Sequence, residues 1–381
     1  MKILTKKTFS TLQPLVVPLL AFLLAQSFLY LGLLYEHQNF LLSSTWIRWD
    51  AGHYIQIAEK GYEYFSCAGH FGYPEGDKSM CGNAGWFIGY PLILRLFSIL
   101  PFSIYDLAPW VSKFLFLGSL IIFGKLSNSI EFKAKNIVFM LIPAFWFGSI
   151  YFNNAFPNST VLFFILLALY SYLSKKYWLL YVSCILASLS YPTGFLVSIV
   201  VSVTMFLSSP ADKRFSLSYL APAVFGFIGL MLFFGFLQYE VNDWSAFLNI
   251  QNKYNHGLHN PPVNIIDKFG GFSFDLSQGS NVIILQSATI LLLYVVTSFY
   301  FFKKKAFLSK VYLLSYVFFT MYLGFPWIVG GDLSIYRSKA ILLPTALLYR
   351  EVNLKIITLL VLVLVCVGAL MNQLFFIDVL M

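Results

Sequence analysis

Long apolar runs recur from one end of this 381-residue chain to the other, the clearest being residues 354–375, LKIITLLVLVLVCVGALMNQLF. The longer runs hold roughly 17 to 22 residues, and at about 1.5 Å per residue a helix of that length crosses the roughly 30 Å hydrocarbon layer of a bilayer. Only 11% of the residues are charged, where a soluble domain carries about 25%. The formal net charge is +9, yet it does not point to nucleic acid. No basic run is longer than Lys303-Lys304-Lys305, and each basic group flanks an apolar run, which is a pattern of membrane topology.

The pattern predicts an all-α integral membrane protein, one polytopic domain over residues 1–381 with eleven crossings. These lie at roughly 14–35, 106–126, 137–156, 159–174, 177–191, 193–208, 217–238, 281–302, 308–325, 340–350 and 354–375. The fifth, sixth and tenth are short for a full crossing. With the N-terminus inside, the inner segments hold sixteen cations and three acids, and the outer segments eight cations and thirteen acids. Lys113 is the one charge well inside a span. That asymmetry follows the positive-inside rule.

The parity depends on residues 86–101, WFIGYPLILRLFSILP. Counted as a crossing, they would move Lys133, Lys135 and the Lys303–Lys305 cluster outside. They are short and contain Arg95, so the expected arrangement is an interfacial helix on the outer face. Ala25-Gln26-Ser27 is the small-residue pattern of a cleavable signal, but apolar residues continue to Leu34, so the first run is expected to stay as an anchor. Chemistry then falls to the two long outer loops, 36–105 and 239–280.

The first of these loops contains STWIRWDAGHYIQIAEKGYEY (44–64), which reads as a helix entered at Ser43, Ser44 or Thr45. On a helical wheel Trp46, Ile47, Asp50, His53, Tyr54, Ile57 and Ala58 share one arc; Arg48, Gly52, Gln56 and Glu59 take the other. Asp50 thus sits in the apolar face, where a carboxylate must be paired, protonated or functional. An ion pair with a neighbouring arginine, or a helix N-terminal charge that suits the dipole, is the structural alternative.

Arg48-Trp49-Asp50-Ala51-Gly52-His53-Tyr54, followed by Ile57-Ala58 and Gly61-Tyr62, resembles the first-loop signature of the PIG-V family. These are GPI mannosyltransferase II and its bacterial relatives, among the GT-C glycosyltransferases. Phe87 with Tyr90-Pro91-Leu92-Ile93-Leu94-Arg95 is similar to the family's next segment. Pro143-Ala144-Phe145, Pro192-Thr193-Gly194, Ala246-Phe247 with Gln251 and Pro261, and Ser334 with Arg337 are similar to later ones, in the same order. The chain departs from the family at Ile88, Tyr191, Asn158, Tyr254 and His256.

The resemblance implies a GT-C-like polytopic fold and an inverting hexosyl transfer, mannosyltransferase-like. The sugar would pass from a polyprenyl- or dolichyl-phosphate donor to a lipid-linked or glycan acceptor on the extracytoplasmic face. Asp50 would be the general base. Arg48, His53, Tyr54, Tyr90, Arg95, Trp244, Gln251, His256, Arg337 and Lys339 are the candidate substrate-binding residues, with Arg337 foremost for the donor phosphate. The alternatives are an interfacial Tyr54, a hydrogen-bonded His53 and an Arg337 that snorkels to headgroups.

No cofactor is required by these motifs. A divalent cation (Mg or Mn) on carboxylates and the donor phosphate is a further reading without assigned ligands, since His256-x-x-His259 alone is a poor zinc signal. Asn158-Ser159-Thr160 matches a glycosylation sequon but is expected to be a helix start. Cys67 and Cys81 share the first outer loop and are expected to pair in an oxidising compartment; Cys184 and Cys366 lie within apolar spans. A bacterial inner membrane is expected, with the endoplasmic reticulum as the eukaryotic counterpart. The rival readings are a transporter or flippase for an amphipathic substrate, and a non-catalytic subunit beside a small membrane partner.

Overall fold

The computed structural model describes residues 2–209, 216–253, 309–328 and 340–377, with 281, 288, 292 and 295–299 between them. Within this range the regular secondary structure is helical apart from one two-stranded hairpin. Inside lipid an unbonded backbone group costs several kcal/mol, and a helix bonds its own.

Helix α1 (Lys2–Tyr35) is followed by a short 3-10 turn (Ser43–Thr45), α2 (Ala51–Lys60), strands β1 (Tyr64–Ser66) and β2 (Met80–Gly82), and α3 (Gly89–Phe97). The bundle continues with α4 (Ile104–Leu126), α5 (Ala134–Ala144), α6 (Asn158–Leu173), α7 (Tyr177–Ser190), α8 (Leu196–Leu207) and α9 (Ala221–Val241). Then come α10 (Ala246–Lys253), α11 (Lys310–Ile328), a 3-10 segment (Leu343–Tyr349) and α12 (Leu354–Phe376). Among the described residues four helical stretches are long and apolar enough to cross a membrane: Pro14–Tyr35, Ile104–Leu126, Leu217–Val241 and Leu354–Phe376. This is the build of a multi-pass membrane protein.

The described residues depart from eleven simple crossings in two places. The expected span 137–156 breaks: α5 stops at Ala144, just after Pro143, and Gly148 turns the chain at φ 69° before a 3-10 turn at Ser149–Phe152. The expected span 340–350 is instead a 3-10 helix of 7 residues, about 14 Å long at roughly 2 Å per residue, too short to cross. The expected span 281–302 and the Lys303–Lys305 cluster lie largely or wholly outside the described residues. Residues 86–101 contain only the 9-residue α3, about 13 Å long.

A short turn folds α7 back beside α6, and α9 packs against both α7 and α8. The turn before α8 is tight: a Cβ on Gly194 would fall 1.8 Å from the Ala187 carbonyl oxygen, so only glycine fits there. At one end of the bundle Arg350 Nε donates to the Ser127 carbonyl (2.7 Å) and Nη2 to that of Asn128 (3.2 Å), fastening the start of α12 to the end of α4. At the other end gather the first loop, the 145–157 segment and the C-terminal turns of α9 and α12.

Two apolar cores match these two ends. Phe116, Phe123, Phe139, Leu166 and Phe318 belong to the one within the bundle. Trp46, Tyr54, Phe87, Tyr90, Tyr151, Phe233 and Phe375 belong to the other, which seals the first loop onto the helix ends.

Candidate functional site

The helix around Asp50 is shorter than the sequence suggests, and this moves Asp50. Helix α2 begins at Ala51, and Asp50 is its N-cap residue, with φ −63° and ψ −12°. Trp46 and Ile47 belong to the preceding loop and are not on the α2 face. Asp50 is therefore half-buried at the mouth of the helix, not in the middle of an apolar stripe. Its side chain makes no capping bond to its own helix. A carboxylate here faces the positive end of the α2 dipole.

From Ala51 onward the wheel holds. Ala51, Tyr54, Ile57 and Ala58 are buried, while Gly52 and Glu59 are exposed. Just before Asp50, Trp49 adopts φ 48°, a left-handed conformation that is uncommon outside glycine. Its ring meets Phe375 edge-on at 5.0 Å. Arg48 donates from Nη2 to Gln38 Oε1 (2.9 Å) and from Nη1 to the Phe375 carbonyl (3.4 Å), with its guanidinium 5.5 Å from the Phe375 ring. Both residues before Asp50 are thus pinned to the last turn of α12.

His53, one turn beyond Asp50, stacks on Trp86 with ring centroids 3.7 Å apart and planes 23° apart. Burial holds its imidazole below the ordinary value, and the charge of Asp50 pulls in the opposite direction. Tyr62 Oη donates to the Trp86 carbonyl at 2.7 Å, fixing the other partner of the stack. Gln251 on α10 donates from Nε2 to the Gly85 carbonyl at 2.9 Å. A Cβ on Gly85 would come 2.4 Å from Ile250 Cγ2, so α10 can approach only a glycine. Asp50, His53, Trp86 and Gln251 thus belong to one corner.

The other candidates divide. Tyr90 is 0% exposed, and its hydroxyl lies 2.8 Å from the Ala108 carbonyl and 3.0 Å from Ser112 Oγ, so it is a core residue. Tyr54 is buried and meets Tyr90 edge-on at 6.0 Å. Arg95 directs Nε to the Ala58 carbonyl (2.7 Å) and Nη2 to that of Ile57 (2.8 Å), so two of its donors close the C-terminal turn of α2. Trp244 is exposed at the base of α10. His256, Arg337 and Lys339 lie outside the described residues.

Cys67 and Cys81 are joined, with an S–S distance of 2.06 Å, beside the register pair Phe65 and Cys81. Lys253 Nζ lies 3.4 and 3.2 Å from the two sulfurs and 4.5 Å from the Tyr73 ring centroid, so α10 rests on the hairpin. Asn158 is fully buried at the start of α6, out of reach of a glycosylating enzyme. Among the described residues no three His, Cys, Asp or Glu side chains come together to hold a metal ion.

Trp86, Gly85, Gln38, Phe375 and Lys253 were not singled out from the sequence. Trp86 opens the apolar 86–101 segment, where an indole beside a loop glycine was the available signal. Phe375 lies far along the chain in an unbroken apolar run and offered none. No protein-family model matches the sequence, and no curated protein matches it.

Proposed function

We propose that this chain is a membrane glycosyltransferase of the GT-C kind. It transfers a hexose from a polyprenyl-phosphate donor to a lipid-linked or envelope glycan acceptor at the bundle end that carries Asp50. The observation that carries this reading is the corner itself: a half-buried carboxylate at a helix mouth beside His53, which stacks on Trp86. It tops a frame of apolar helices, where a lipid-borne substrate lies within reach. The RWDAGHY resemblance at residues 48–54 supports the same assignment.

In this reading an acceptor hydroxyl gives its proton to Asp50 while its oxygen bonds to the anomeric carbon. The bond from that carbon to the phosphate oxygen breaks with its electron pair, releasing polyprenyl phosphate. A single base suffices for inversion, unlike the carboxylate pair of a glycosidase. His53 and Trp86 wall the site, and Gln251 ties α10 over it. Arg337 and Lys339 are the proposed cations for the departing phosphate.

The Asp50 end is proposed to be extracytoplasmic, because the basic turns at Lys125, Lys133, Lys135, Lys175, Lys176 and Arg350 belong to the opposite end. Cysteines at positions 133 and 59 should then react with an impermeant thiol reagent from opposite sides; reaction from one side alone would overturn the orientation.

A transporter is the second reading, favoured by the break between α5 and α6, since interrupted helices also build transport sites. Purified protein incubated with a panel of labelled polyprenyl-phosphate sugars and membrane glycolipid acceptors separates the two. Labelled glycan must form, and label that only crosses a vesicle wall would favour transport.

A further inference from the structure

Lys113 lies midway along α4 and is only 3% exposed, and no carboxylate pairs with it among the described residues. Its Nζ donates to the Asn153 carbonyl at 2.9 Å. The same nitrogen is 3.5 Å from the Trp46 ring centroid, with Phe40 at 5.5 Å and Trp110 at 5.6 Å. A desolvated cation over an indole face is held more strongly than one at an exposed site.

Trp46 is gripped from its other sides as well. Its Nε1 donates to the Phe40 carbonyl at 2.8 Å, and its own carbonyl accepts from Ala155 N at 3.2 Å. The Ala155 segment is tied to α1, because Gln26 Nε2 donates to Asn153 Oδ1 at 2.6 Å. Lys113 therefore joins α4, the break before α6 and the first loop at one point. Between Trp46 and Asp50 lie only Ile47, Arg48 and the left-handed Trp49. Unfavourable backbone of that kind persists only where the surroundings over-determine it.

We propose that Lys113 is a positioning residue: its ammonium, held between the Asn153 carbonyl and the Trp46 indole, fixes the strained Trp46–Trp49 segment that aims Asp50. This rests on the reading of Asp50 as the reacting carboxylate.

The test uses the full chain with Lys113→Met, which keeps the length of the side chain and removes the charge. The exchange relieves a buried cation but leaves the Asn153 carbonyl without its donor, two opposing effects, so melting should shift by no more than a few degrees. Turnover should nevertheless fall ten- to hundredfold at unchanged donor KM, the cost of a base displaced by about 1 Å. The NMR titration of His53, assigned by its absence in His53→Gln, reports Asp50 without turnover. Its midpoint should drop further as the Asp50 charge withdraws. Trp46→Leu should reproduce both effects, and the double variant should be no slower than either single one.

An unchanged His53 midpoint in Lys113→Met, or strictly additive losses in the double variant, would overturn the proposal. So would a lower melting temperature with full turnover per folded molecule. If Asp50→Asn still transfers sugar, the reading of Asp50 as the reacting carboxylate falls, and the His53 midpoint alone decides for or against Lys113. If Asp50→Asn is inactive while Lys113→Met behaves as wild type, only the Lys113 proposal falls.

Discussion

Arg95 Nε donates to the carbonyl oxygen of Ala58 at 2.7 Å, so a side chain of α3 completes the last turn of α2. With Nη2 on the Ile57 carbonyl, which also accepts from Gly61 N at 3.1 Å, the guanidinium serves one acceptor that the helix end leaves open and reinforces a second. Arg95→Leu should therefore lower stability by about 1–3 kcal/mol, the cost of stranding the Ala58 carbonyl, which had a charged donor. Arg95→Lys, with a single point donor, should recover part of it. Thermal melting of both variants checks this. Wild-type melting with a raised donor KM would make Arg95 a phosphate ligand instead.

Asp50→Asn should abolish sugar transfer and leave the fold intact, because the amide keeps the shape and loses the proton acceptor. Removing a general base typically costs a factor of about 10²–10⁴. Glu59→Gln should be nearly silent, since Glu59 is exposed on the far side of α2. Initial rates from purified variants decide it, and equal losses in both would mean that the wrong carboxylate was chosen.

The His53 imidazole sits below its ordinary value of 6.5 because of burial, with Asp50 opposing. A depressed folded value means that the unfolded chain takes up the proton more readily. The stabilisation from the neutral stacked ring is thus full above about pH 6.5 and is lost as pH falls through the lower folded value. His53→Phe keeps a ring on Trp86 and should flatten the fall in melting temperature between about pH 7 and pH 5. Parallel slopes in wild type and variant would show that His53 contributes nothing to that loss.

The Cys67–Cys81 bond closes a segment with a sequence separation of 14, worth about 3 kcal/mol in the chain-entropy view. Non-reduced peptide mass spectrometry should find the two linked, and the Cys67→Ala/Cys81→Ala variant should melt lower. Because Lys253 rests on both sulfurs, the loss should also loosen α10 and raise protease cleavage near residue 253. Quantitative alkylation of both thiols without reductant would refute the pairing.

Legibility differed by physical cause. Ile104–Leu126 and Leu354–Phe376 were readable because a water-facing helix cannot stay apolar all round over a membrane's thickness. The end of α5 was not, because FWFGSIYFNNAF (145–156) stays apolar enough to continue a span, and hydropathy does not register the left-handed Gly148. Asp50 could be picked from the RWDAGHY pattern, yet its position at the helix mouth depends on Trp49, whose left-handed φ no propensity would suggest. Arg95 and Arg48 read as substrate-binding candidates because their actual partners include backbone carbonyls, which leave no trace in a sequence. Lys113 stood out as a charge in a span, but its aromatic partners Phe40 and Trp46 come from the preceding loop.

The neighbouring helices α6, α7 and α8 have 16, 14 and 12 residues, about 24, 21 and 18 Å of length. A bilayer about 30 Å thick cannot meet all of them without hydrophobic mismatch, so lipid beside this flank must thin or the helices must sit recessed. Thinning shortens the climb of a lipid headgroup from one leaflet toward the other. A chain built this way should favour short-acyl membranes, and its stability in reconstituted bilayers should decline as the acyl chains lengthen.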